Sequence, residues 1–425
     1  MRIFEELESN VRSYIRSFPA VFERAKGCLL YDDQGNEYLD FFAGAGTLNY
    51  GHNNTKISEA IIKYVQNDGI IHGLDQATSA KKAFLEKLRD VILIPRNLEY
   101  KIQFPGPTGT NAVETALKLA KMVKGRSNVI SFTNGFHGLT MGAVAVTGNS
   151  YFRDEAFINR TNVSFMPYEG YMNKSFDTLD YLHKSLIDSS SGVDLPAAVI
   201  VETIQAEGGV NVASTEWLRR LEKICRELDI LLIIDDIQVG NGRTGHFFSF
   251  EEAGLNPDIV VLSKSIGGGL PLSLVLMKPE LDKWKPGEHT GTFRGNNLAF
   301  VAATEAFSYW ENNHLSDAVL NKSKILKQEL QKIVQEFSEL KMSFRGRGLI
   351  YGLEISQNGM TASEISREAF INGLIIEIAG AENNVLKFLP PLIIKESMLC
   401  KGMEIIKESI QSVIEKNSVM IGDLA

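Results

Sequence analysis

Two residues that could do covalent and acid–base chemistry each follow an apolar stretch in the middle of the chain. Lys264 is the second residue after Ile259–Leu262, and three glycines stand shortly after it at 267–269. Asp235 ends the aliphatic run 230–234, where a carboxylate is costly to bury without a partner. An amine can form a Schiff base with a carbonyl group, and a buried acid can pair with a cationic ring nitrogen. The ordinary interpretations are an exposed loop lysine and an aspartate that caps the next element.

The stretch after Lys101–Phe104 could bind an anion. Over residues 106–114 it reads Gly-Pro-Thr-Gly-Thr-Asn-Ala-Val-Glu, and a helical pattern follows. Thr108, Gly109 and Thr110 would combine hydroxyl groups with free backbone N–H groups at a helix start, which suits a phosphate. No Gly-Lys-Ser/Thr follows, so this is not a Walker loop. A plain turn with a helix cap is the alternative.

Phe136 is an aromatic residue between glycines, directly after the apolar stretch Val129–Phe132. Such a side chain can lie flat against a planar ring, although a core phenylalanine is the ordinary alternative. Each of these four signals is weak alone. Together, a lysine, a buried acid, a phosphate site and a flat aromatic are the parts that pyridoxal phosphate needs.

The elements that must position these residues alternate between short apolar strands and helical stretches. Ligands collect at the carboxyl ends of the strands in an open α/β sheet, and all four candidate positions follow strands. The pattern predicts an α/β fold with a central, mostly parallel sheet of about seven strands and helices on both faces. The predicted strands are Lys101–Phe104, Val129–Phe132, Val163–Met166, Ala197–Val201, Ile230–Ile234, Ile259–Leu262 and Leu272–Met277.

Outside that sheet, the sequence predicts a smaller α+β lobe built from both ends of the chain. We expect residues 1–52 to be the N-terminal segment of this lobe, 53–305 the large domain and 306–425 the C-terminal small domain. Apolar spacing over residues 3–15 predicts a helix, and two strands flank a turn at 32–36. Further strands are expected at Gly348–Ile355, Leu374–Ile378 and Val385–Ile394.

Two predicted helices have sequence signals at their first turn. Asn111 and Glu114 have the spacing of a capping box at the start of a helix through Lys121. The segment Thr215–Leu221 has the pattern of a capped amphipathic helix.

The bulk composition narrows the class of protein. A net charge of −8 argues against nucleic acid or an anionic membrane as the main partner, and no apolar run is long enough to span a bilayer. The three cysteines, Cys28, Cys225 and Cys400, lie far apart, which disfavours a disulfide framework and fits the cytoplasm. Neither they nor the seven histidines have metal-ligand spacing, so we expect no metal site.

The motifs resemble those of the class III (ω-amino acid) aminotransferases, which have the pyridoxal-phosphate-dependent transferase fold of type I. The resemblance runs nearly end to end. Its most specific parts are the segments 234–245, which contains Asp235, and 262–265, which contains Lys264. Residues 202–210, Glu-Thr-Ile-Gln-Ala-Glu-Gly-Gly-Val, match the family's Glu-Pro-Ile-Gln-Gly-Glu-Gly-Gly with Thr203 in place of proline.

The resemblance implies the cofactor pyridoxal 5′-phosphate and a role for each candidate residue. Lys264 would hold the cofactor as a Schiff base and Asp235 would pair with its ring nitrogen. The remaining cofactor contacts would come from Gln238 to the ring hydroxyl, Thr108, Gly109 and Thr110 to the phosphate, Phe136 to the ring face, and Thr292 of a second subunit. At least a homodimer is therefore implied. Glu207 matches an acid that, in many relatives, pairs with a substrate-binding arginine and releases it for the second substrate.

Two departures from the family pattern concern the substrate. Lys387 stands where most members have an arginine for the substrate carboxylate, and lysine cannot make a bidentate grip. Arg294 stands where the wider class often has glycine, so it could supply that grip instead. The loop 265–271 also looks one residue shorter than in the class members that serve ectoine synthesis.

Within the class, segments 43–54, 106–114 and 291–296 look most like the members that serve ectoine synthesis. That likeness implies a ping-pong transfer between L-glutamate and the terminal position of L-2,4-diaminobutyrate, with L-aspartate 4-semialdehyde and 2-oxoglutarate as the oxo partners. An ornithine-like or 4-aminobutyrate-like aminotransferase and an aminomutase of the same fold stay open as alternatives. So does the pathway, which could be that of ectoine, a siderophore or a peptide antibiotic.

Overall fold

The computed structural model describes residues 1–156, 158–173, 175–355 and 362–422, and it contains a central sheet of seven strands. In spatial order the strands are Lys101–Gln103, Leu274–Met277, Ile259–Leu262, Leu231–Asp235, Ala198–Val201, Val129–Phe132 and Val163–Met166. Only Leu274–Met277 runs antiparallel to its two neighbours; the other pairs are parallel. All seven predicted strands and the mostly parallel arrangement are confirmed.

The central sheet is covered on both faces, as its apolar strands require. Along one strand, Leu232 and Ile234 pack into one apolar cluster, whereas Leu231 and Ile233 pack into another on the opposite face. The helix Gly109–Lys124 covers the second of these faces and Thr215–Glu227 contributes to the first. Alternation of side chains along each strand therefore buries both faces and leaves the strand ends as the place for polar groups.

Two smaller sheets flank the central one and join both ends of the chain. The first contains Phe22–Lys26, Leu29–Asp32, Glu37–Asp40 and Leu374–Ile375, in that order. Its last strand comes from the C-terminal part of the chain and pairs in parallel with Glu37–Asp40. The second contains Ser343–Arg347, Ile350–Glu354, Val385–Phe388 and Glu377–Ala379. This pairing is consistent with one lobe made from residues 1–52 and 306–425, and those domain boundaries stay a proposal.

The helices surround these sheets. The predicted helix at Thr215 is confirmed, and Ser214 caps it by accepting a hydrogen bond from the backbone of Trp217. The predicted continuous helix over residues 3–15 is wrong, because the segment forms two short helices separated at residues 8–13. No helix among the described residues is both long and apolar enough to cross a membrane. The α-helices of four or more residues, apart from a left-handed turn at Ala43–Gly46, are Arg2–Leu7, Tyr14–Ser17, Thr55–Gln66, Ser79–Lys87, Gly109–Lys124, Met141–Ala145, Thr178–Ile187, Thr215–Glu227, Asn297–Phe307, His314–Glu336, Ala362–Ile371 and Glu396–Gly422.

A short hairpin adds a further element beside the central sheet. Its strands Ile204–Gln205 and Asn211–Val212 pair in antiparallel fashion and place Glu207 at the connecting turn. The turn thus carries one of the candidate substrate-binding residues.

Candidate active site

Lys264 lies at the carboxyl end of a central strand, in the first position of a tight helical turn, Lys264–Gly267. Its backbone adopts a left-handed conformation, with φ of 52°. The amine has no hydrogen-bond or ion-pair partner in the part of the chain that the structure describes. Burial lowers the pKa of Lys264, with Glu207 opposing the shift. An amine that is partly desolvated and free of partners is suited to covalent and proton-transfer chemistry.

Asp235 ends the neighbouring strand and is 3% exposed. Its Oδ2 lies 2.7 Å from Nδ1 of His137, which is equally buried, and its Oδ1 accepts a hydrogen bond from the backbone of Ile237. The buried carboxylate therefore has the hydrogen-bonding partner that its position in the sequence requires.

Asp236, the next residue, has a different setting. Its Oδ2 accepts a hydrogen bond from the backbone of Ser249, and its Oδ1 has no partner among the described residues. Burial raises the pKa of Asp236 to about 7. Of the two adjacent carboxylates, only Asp235 pairs with a histidine from the loop that carries Phe136.

The predicted anion site lies at the first turn of the helix Gly109–Lys124, whose N-cap is Thr108. The backbone N–H groups of Gly109, Thr110 and Asn111 have no acceptor among the described residues. The two threonine hydroxyls do have protein partners: Thr108 donates to the side chain of Asn111, and Thr110 pairs with Thr140. Three free N–H groups at a helix start form the part of this loop that is open to an anion.

The predicted capping box at this helix is wrong. The helix begins two residues before Asn111, and Glu114 does not reach back to its start. The Glu114 carboxylate instead accepts hydrogen bonds from the Thr140 hydroxyl and from the backbone of Gly142 and Ala143. It thus caps the short helix Met141–Ala145, which stands against the anion site.

Gly138 explains how the loop after Phe136 can approach that site. Its φ is 116°, and a side chain there would place Cβ 2.5 Å from Oγ1 of Thr110. Only glycine allows both the backbone conformation and the close approach. Phe136 itself is half-buried, and its ring makes an edge contact with Phe152.

Gln238 joins two parts of the site. Its amide nitrogen donates to the carbonyl oxygen of Ala45 at 2.9 Å and to Oε1 of Glu207 at 3.0 Å. Its Oε1 is buried and has no hydrogen-bond donor among the described residues. A buried amide oxygen of this kind is costly unless a further group donates to it.

Glu207 and Lys387 form an ion pair next to Lys264. The Lys387 ammonium is fully buried and lies 2.7 Å from Oε1 of Glu207 and 3.0 Å from Oε2 of Glu377. Glu377 also accepts a hydrogen bond from the hydroxyl of Tyr14. Burial would raise the pKa of Glu207, but Lys387 and Lys264 outweigh it and lower that pKa to about 2. Burial likewise opposes the charge on Lys387, yet the two carboxylates raise its pKa.

Thr292 and Arg294 are not brought to Lys264 within one chain. Thr292 and its neighbour Phe293 are exposed, and the Phe293 ring stacks on His72 at 5.2 Å. Arg294 donates to the hydroxyl of Thr290 and lies 4.0 Å from Asp75. Among the described residues, neither has a contact with Glu207, Lys387 or Lys264.

Three site residues were missed from the sequence. His137 stands next to Phe136 between two glycines, and a polar residue in such a loop was a usable signal. Glu377 is a charged residue inside the apolar stretch 374–378, a strand in which a carboxylate needs a partner. Tyr14 had no signal of its own, since its contact with Glu377 spans 363 positions along the chain.

The residues present fit pyridoxal 5′-phosphate. The free N–H groups suit its phosphate, the unpaired Oε1 of Gln238 suits a ring hydroxyl, Asp235 suits a protonated ring nitrogen, and Lys264 suits its aldehyde. The sequence of residues 12–410 also matches the family model for aminotransferase class III. The chain belongs to the class III aminotransferases. Its cofactor is pyridoxal 5′-phosphate, and it transfers amino groups.

Other members of this class are similar in sequence to this chain over nearly its whole length. The chain is 68% identical over 424 residues to a diaminobutyrate–2-oxoglutarate transaminase of Wolinella succinogenes, covering 100% of the chain and 99% of that protein. It is 56% identical over 422 residues to the transaminase of the same name from Halalkalibacterium halodurans, covering 99% of each. Among solved structures, the ornithine aminotransferase of Toxoplasma gondii is 26% identical with a TM-score of 0.85, covering 98% of this chain and 95% of that one. The type I fold is therefore confirmed.

Proposed function

We propose that this aminotransferase moves the amino group between L-glutamate and the terminal position of L-2,4-diaminobutyrate, with 2-oxoglutarate and L-aspartate 4-semialdehyde as the oxo partners. The observation that carries the proposal is the full-length identity of 68% and 56% to two transaminases named for diaminobutyrate and 2-oxoglutarate. At such identity over both whole chains, the two substrates are the best-supported pair.

The proposed roles follow from where each side chain lies. Pyridoxal phosphate, when bound, supplies an aldehyde for amino groups and a ring that withdraws electrons from the substrate carbon. Lys264 holds it covalently and, once its amine is released, moves the proton to and from the substrate carbon. Because burial lowers its pKa, a larger fraction of that amine is neutral and able to accept a proton than an exposed lysine would provide. Asp235 holds a proton on the ring nitrogen, and His137 fixes the carboxylate from the other side.

The remaining roles concern binding. Gly109, Thr110 and Thr108 hold the phosphate through the first helical turn, Phe136 covers the ring face and Gln238 accepts a hydrogen bond from the ring hydroxyl through its Oε1. For glutamate, we propose that Arg294 is the main partner of the α-carboxylate and Lys387 a secondary one. Glu207 would move aside from Lys387 in that half-reaction.

We further propose a homodimer or a larger homo-oligomer in which Thr292 and Arg294 complete the site of the other subunit. The support is an exposed apolar surface around them, formed by Ile70, Ile71, Leu74 and Phe293, each more than half exposed. Exposed apolar area of this kind is typical of an interface. The cytoplasm is the proposed compartment, and ectoine synthesis the proposed pathway.

An isotope experiment tests the substrate pair. Diaminobutyrate labelled with ¹⁵N at its terminal nitrogen is incubated with the pyridoxal-phosphate-loaded enzyme and 2-oxoglutarate, and the glutamate formed is examined by mass spectrometry. We expect labelled glutamate, and unlabelled glutamate when the α-nitrogen carries the label instead. Glutamate labelled from the α-position would contradict the proposal.

The same experiment separates the alternatives. An aminomutase would change diaminobutyrate without 2-oxoglutarate and produce no glutamate. An ornithine-like or 4-aminobutyrate-like enzyme would form glutamate faster from those amines than from diaminobutyrate. The Lys264→Ala variant is the control for transfer without the enzyme's amine, and it should form none.

A further inference from the structure

The Lys387 ion pair contains one more carboxylate than its charge requires. Glu207 and Glu377 both lie within 3.0 Å of the single Lys387 ammonium. Lowered and raised pKa values keep Glu207 and Lys387 charged at neutral pH. Burial raises the pKa of Glu377, and Lys387 is the group that opposes this rise most strongly. With all three ionised, the cluster bears one net negative charge next to the site.

The two carboxylates differ in how they are held. Glu377 lies on a strand, directly opposite Lys387 in the antiparallel register, and the Tyr14 hydroxyl donates to its other oxygen at 2.8 Å. It is therefore fixed beside Lys387 inside the small lobe, with only 6% of its side chain exposed. Glu207 lies on the hairpin turn instead, and 27% of its side chain is exposed. Glu377 is thus the more firmly held of the two carboxylates beside Lys387.

The two carboxylate oxygens of Glu207 differ in their hydrogen bonds. Its Oε1 accepts both hydrogen bonds of the side chain, from Lys387 and from Gln238. Its Oε2 has no partner among the described residues. Glu207 accepts a hydrogen bond from Gln238, a candidate cofactor residue, and its charge opposes the lowering of the pKa of Lys264, so Glu207 lies beside the reaction site. Because Glu207 and Glu377 share the single charge of Lys387, that charge balances each carboxylate only in part.

We propose that Oε2 of Glu207 binds the α-ammonium group of diaminobutyrate while the terminal amine reacts at the cofactor held by Lys264, and that Glu377 is a positioning residue that shares the charge of Lys387 with Glu207. This inference rests on the proposed function and adds the specificity element for the amine half-reaction. The site should therefore prefer an ω-amine whose far end carries an ammonium group. 4-Aminobutyrate is diaminobutyrate without that group, so the two compounds isolate the contact.

The first measurement is the ratio of kcat/KM for L-2,4-diaminobutyrate to that for 4-aminobutyrate in single half-reactions followed by cofactor absorbance. The ratio cancels any loss of folded or loaded enzyme. Glu207→Gln should lower it at least about tenfold, the loss expected for one hydrogen bond between charged groups. Glu377→Gln should lower it by a smaller factor, about threefold, because it acts through charge alone. Glu404→Gln on the exposed face of the last helix is the matched control and should not change it.

The second measurement is binding without turnover. Enzyme loaded with pyridoxamine phosphate cannot react with an alcohol, so L-homoserine and 4-hydroxybutyrate can be titrated by calorimetry as unreactive analogues of the two amines. We expect Glu207→Gln to weaken homoserine about tenfold and to leave 4-hydroxybutyrate unchanged or tighter.

The outcomes distinguish a failure of the proposed function from a failure of the proposed role of Glu207. Wild-type enzyme that does not consume diaminobutyrate refutes the proposed function. Wild-type enzyme that consumes it, with both variants weakening the two ligands of each pair equally, refutes this inference alone. In that case Glu207 serves only to hold Lys387. Because the Glu207 side chain is partly exposed on a turn, its glutamine variant decides the question even if Glu377→Gln does not fold.

Discussion

Asp235 and Lys264 are held at the ends of buried strands of the central sheet, whereas Thr292 and Arg294 lie on an exposed segment. The first two follow buried strands, and Asp235 has its partner His137 inside the same chain. Thr292 is exposed, and Arg294 contacts Thr290 and Asp75 on the same surface. A side chain on a buried strand end is positioned by the packing of its own sheet. A side chain on an exposed segment lacks that support, and the proposed subunit contact at the exposed apolar residues around Phe293 would supply it.

The largest effect is expected on the sheet side of this comparison. Asp235→Ala should keep the fold and lower kcat about 10²- to 10⁴-fold, because removing one partner of a buried charge pair costs about 3–5 kcal/mol. Steady-state rates with saturating cofactor measure it. Asp236→Asn is the matched control, since that carboxylate accepts from Ser249 and pairs with no histidine. Near-normal rates for the Asp235 variant, with a loss of rate in the Asp236 variant, would contradict the assignment of Asp235 to the ring nitrogen and favour Asp236.

The exposed segment can be tested by mixing subunits. Thr292→Asp should prevent loading because its carboxylate repels the cofactor phosphate, and Lys264→Ala should prevent covalent attachment. If Thr292 completes the partner's site, a heterodimer of the two variants has one intact site. It should recover about half of the wild-type activity, since each C₂ dimer has two equivalent sites.

The alternative assignment gives a different result in the same experiment. If Thr292 acts in its own chain, neither site of the heterodimer is intact and mixing restores nothing. Homodimers of each variant, taken through the same mixing procedure, are the controls. Native mass spectrometry shows whether the mixed species has formed, because the two variant subunits differ in mass.

A smaller effect is expected for the residue behind Asp235. His137→Gln keeps a side chain able to donate to the carboxylate but changes its geometry, so the rate should fall roughly tenfold, as for one hydrogen bond to a charged group. Because His137 acts through Asp235, its effect should disappear in the Asp235→Ala background. Additive losses in the double variant would show instead that His137 supports the loop of Phe136 independently.

The sequence predicted the sheet and its four strand ends because short buried strands leave a strong apolar pattern, as at Ile259–Leu262 before Lys264. The anion site was also identifiable from its glycine and threonines. Pairings that join distant segments were not identifiable from the residues alone. The Tyr14–Glu377 hydrogen bond depends on how distant segments pack, and the ion pair of Lys387 with Glu207 was implied only by the family resemblance. The capping box failed for a related reason, since Glu114 caps a neighbouring helix rather than its own.

The smallest effect and the sharpest test of the comparison concern Arg294. Arginine's planar guanidinium binds a carboxylate with two hydrogen bonds, whereas lysine offers a point charge. Arg294→Lys should therefore raise the KM for L-glutamate several-fold, about three- to tenfold, the loss of one such bond. It should leave the KM for a diamine without a carboxylate, such as putrescine, unchanged. Half-reactions followed by cofactor absorbance separate donor binding from acceptor binding.

Lys387→Arg completes that test, since most class members have arginine at the position. If Arg294 of the partner subunit holds glutamate, Lys387→Arg should be tolerated, because a guanidinium can keep the contacts with Glu207 and Glu377. If Arg294→Lys leaves the glutamate half-reaction unchanged while Lys387→Ala abolishes it, the buried lysine is the carboxylate site. Arg294 would then be a structural residue of the exposed segment, held by Thr290 and Asp75. In that case the strand ends and the small lobe of one chain would supply every substrate contact. The exposed segment would serve only the contact between subunits.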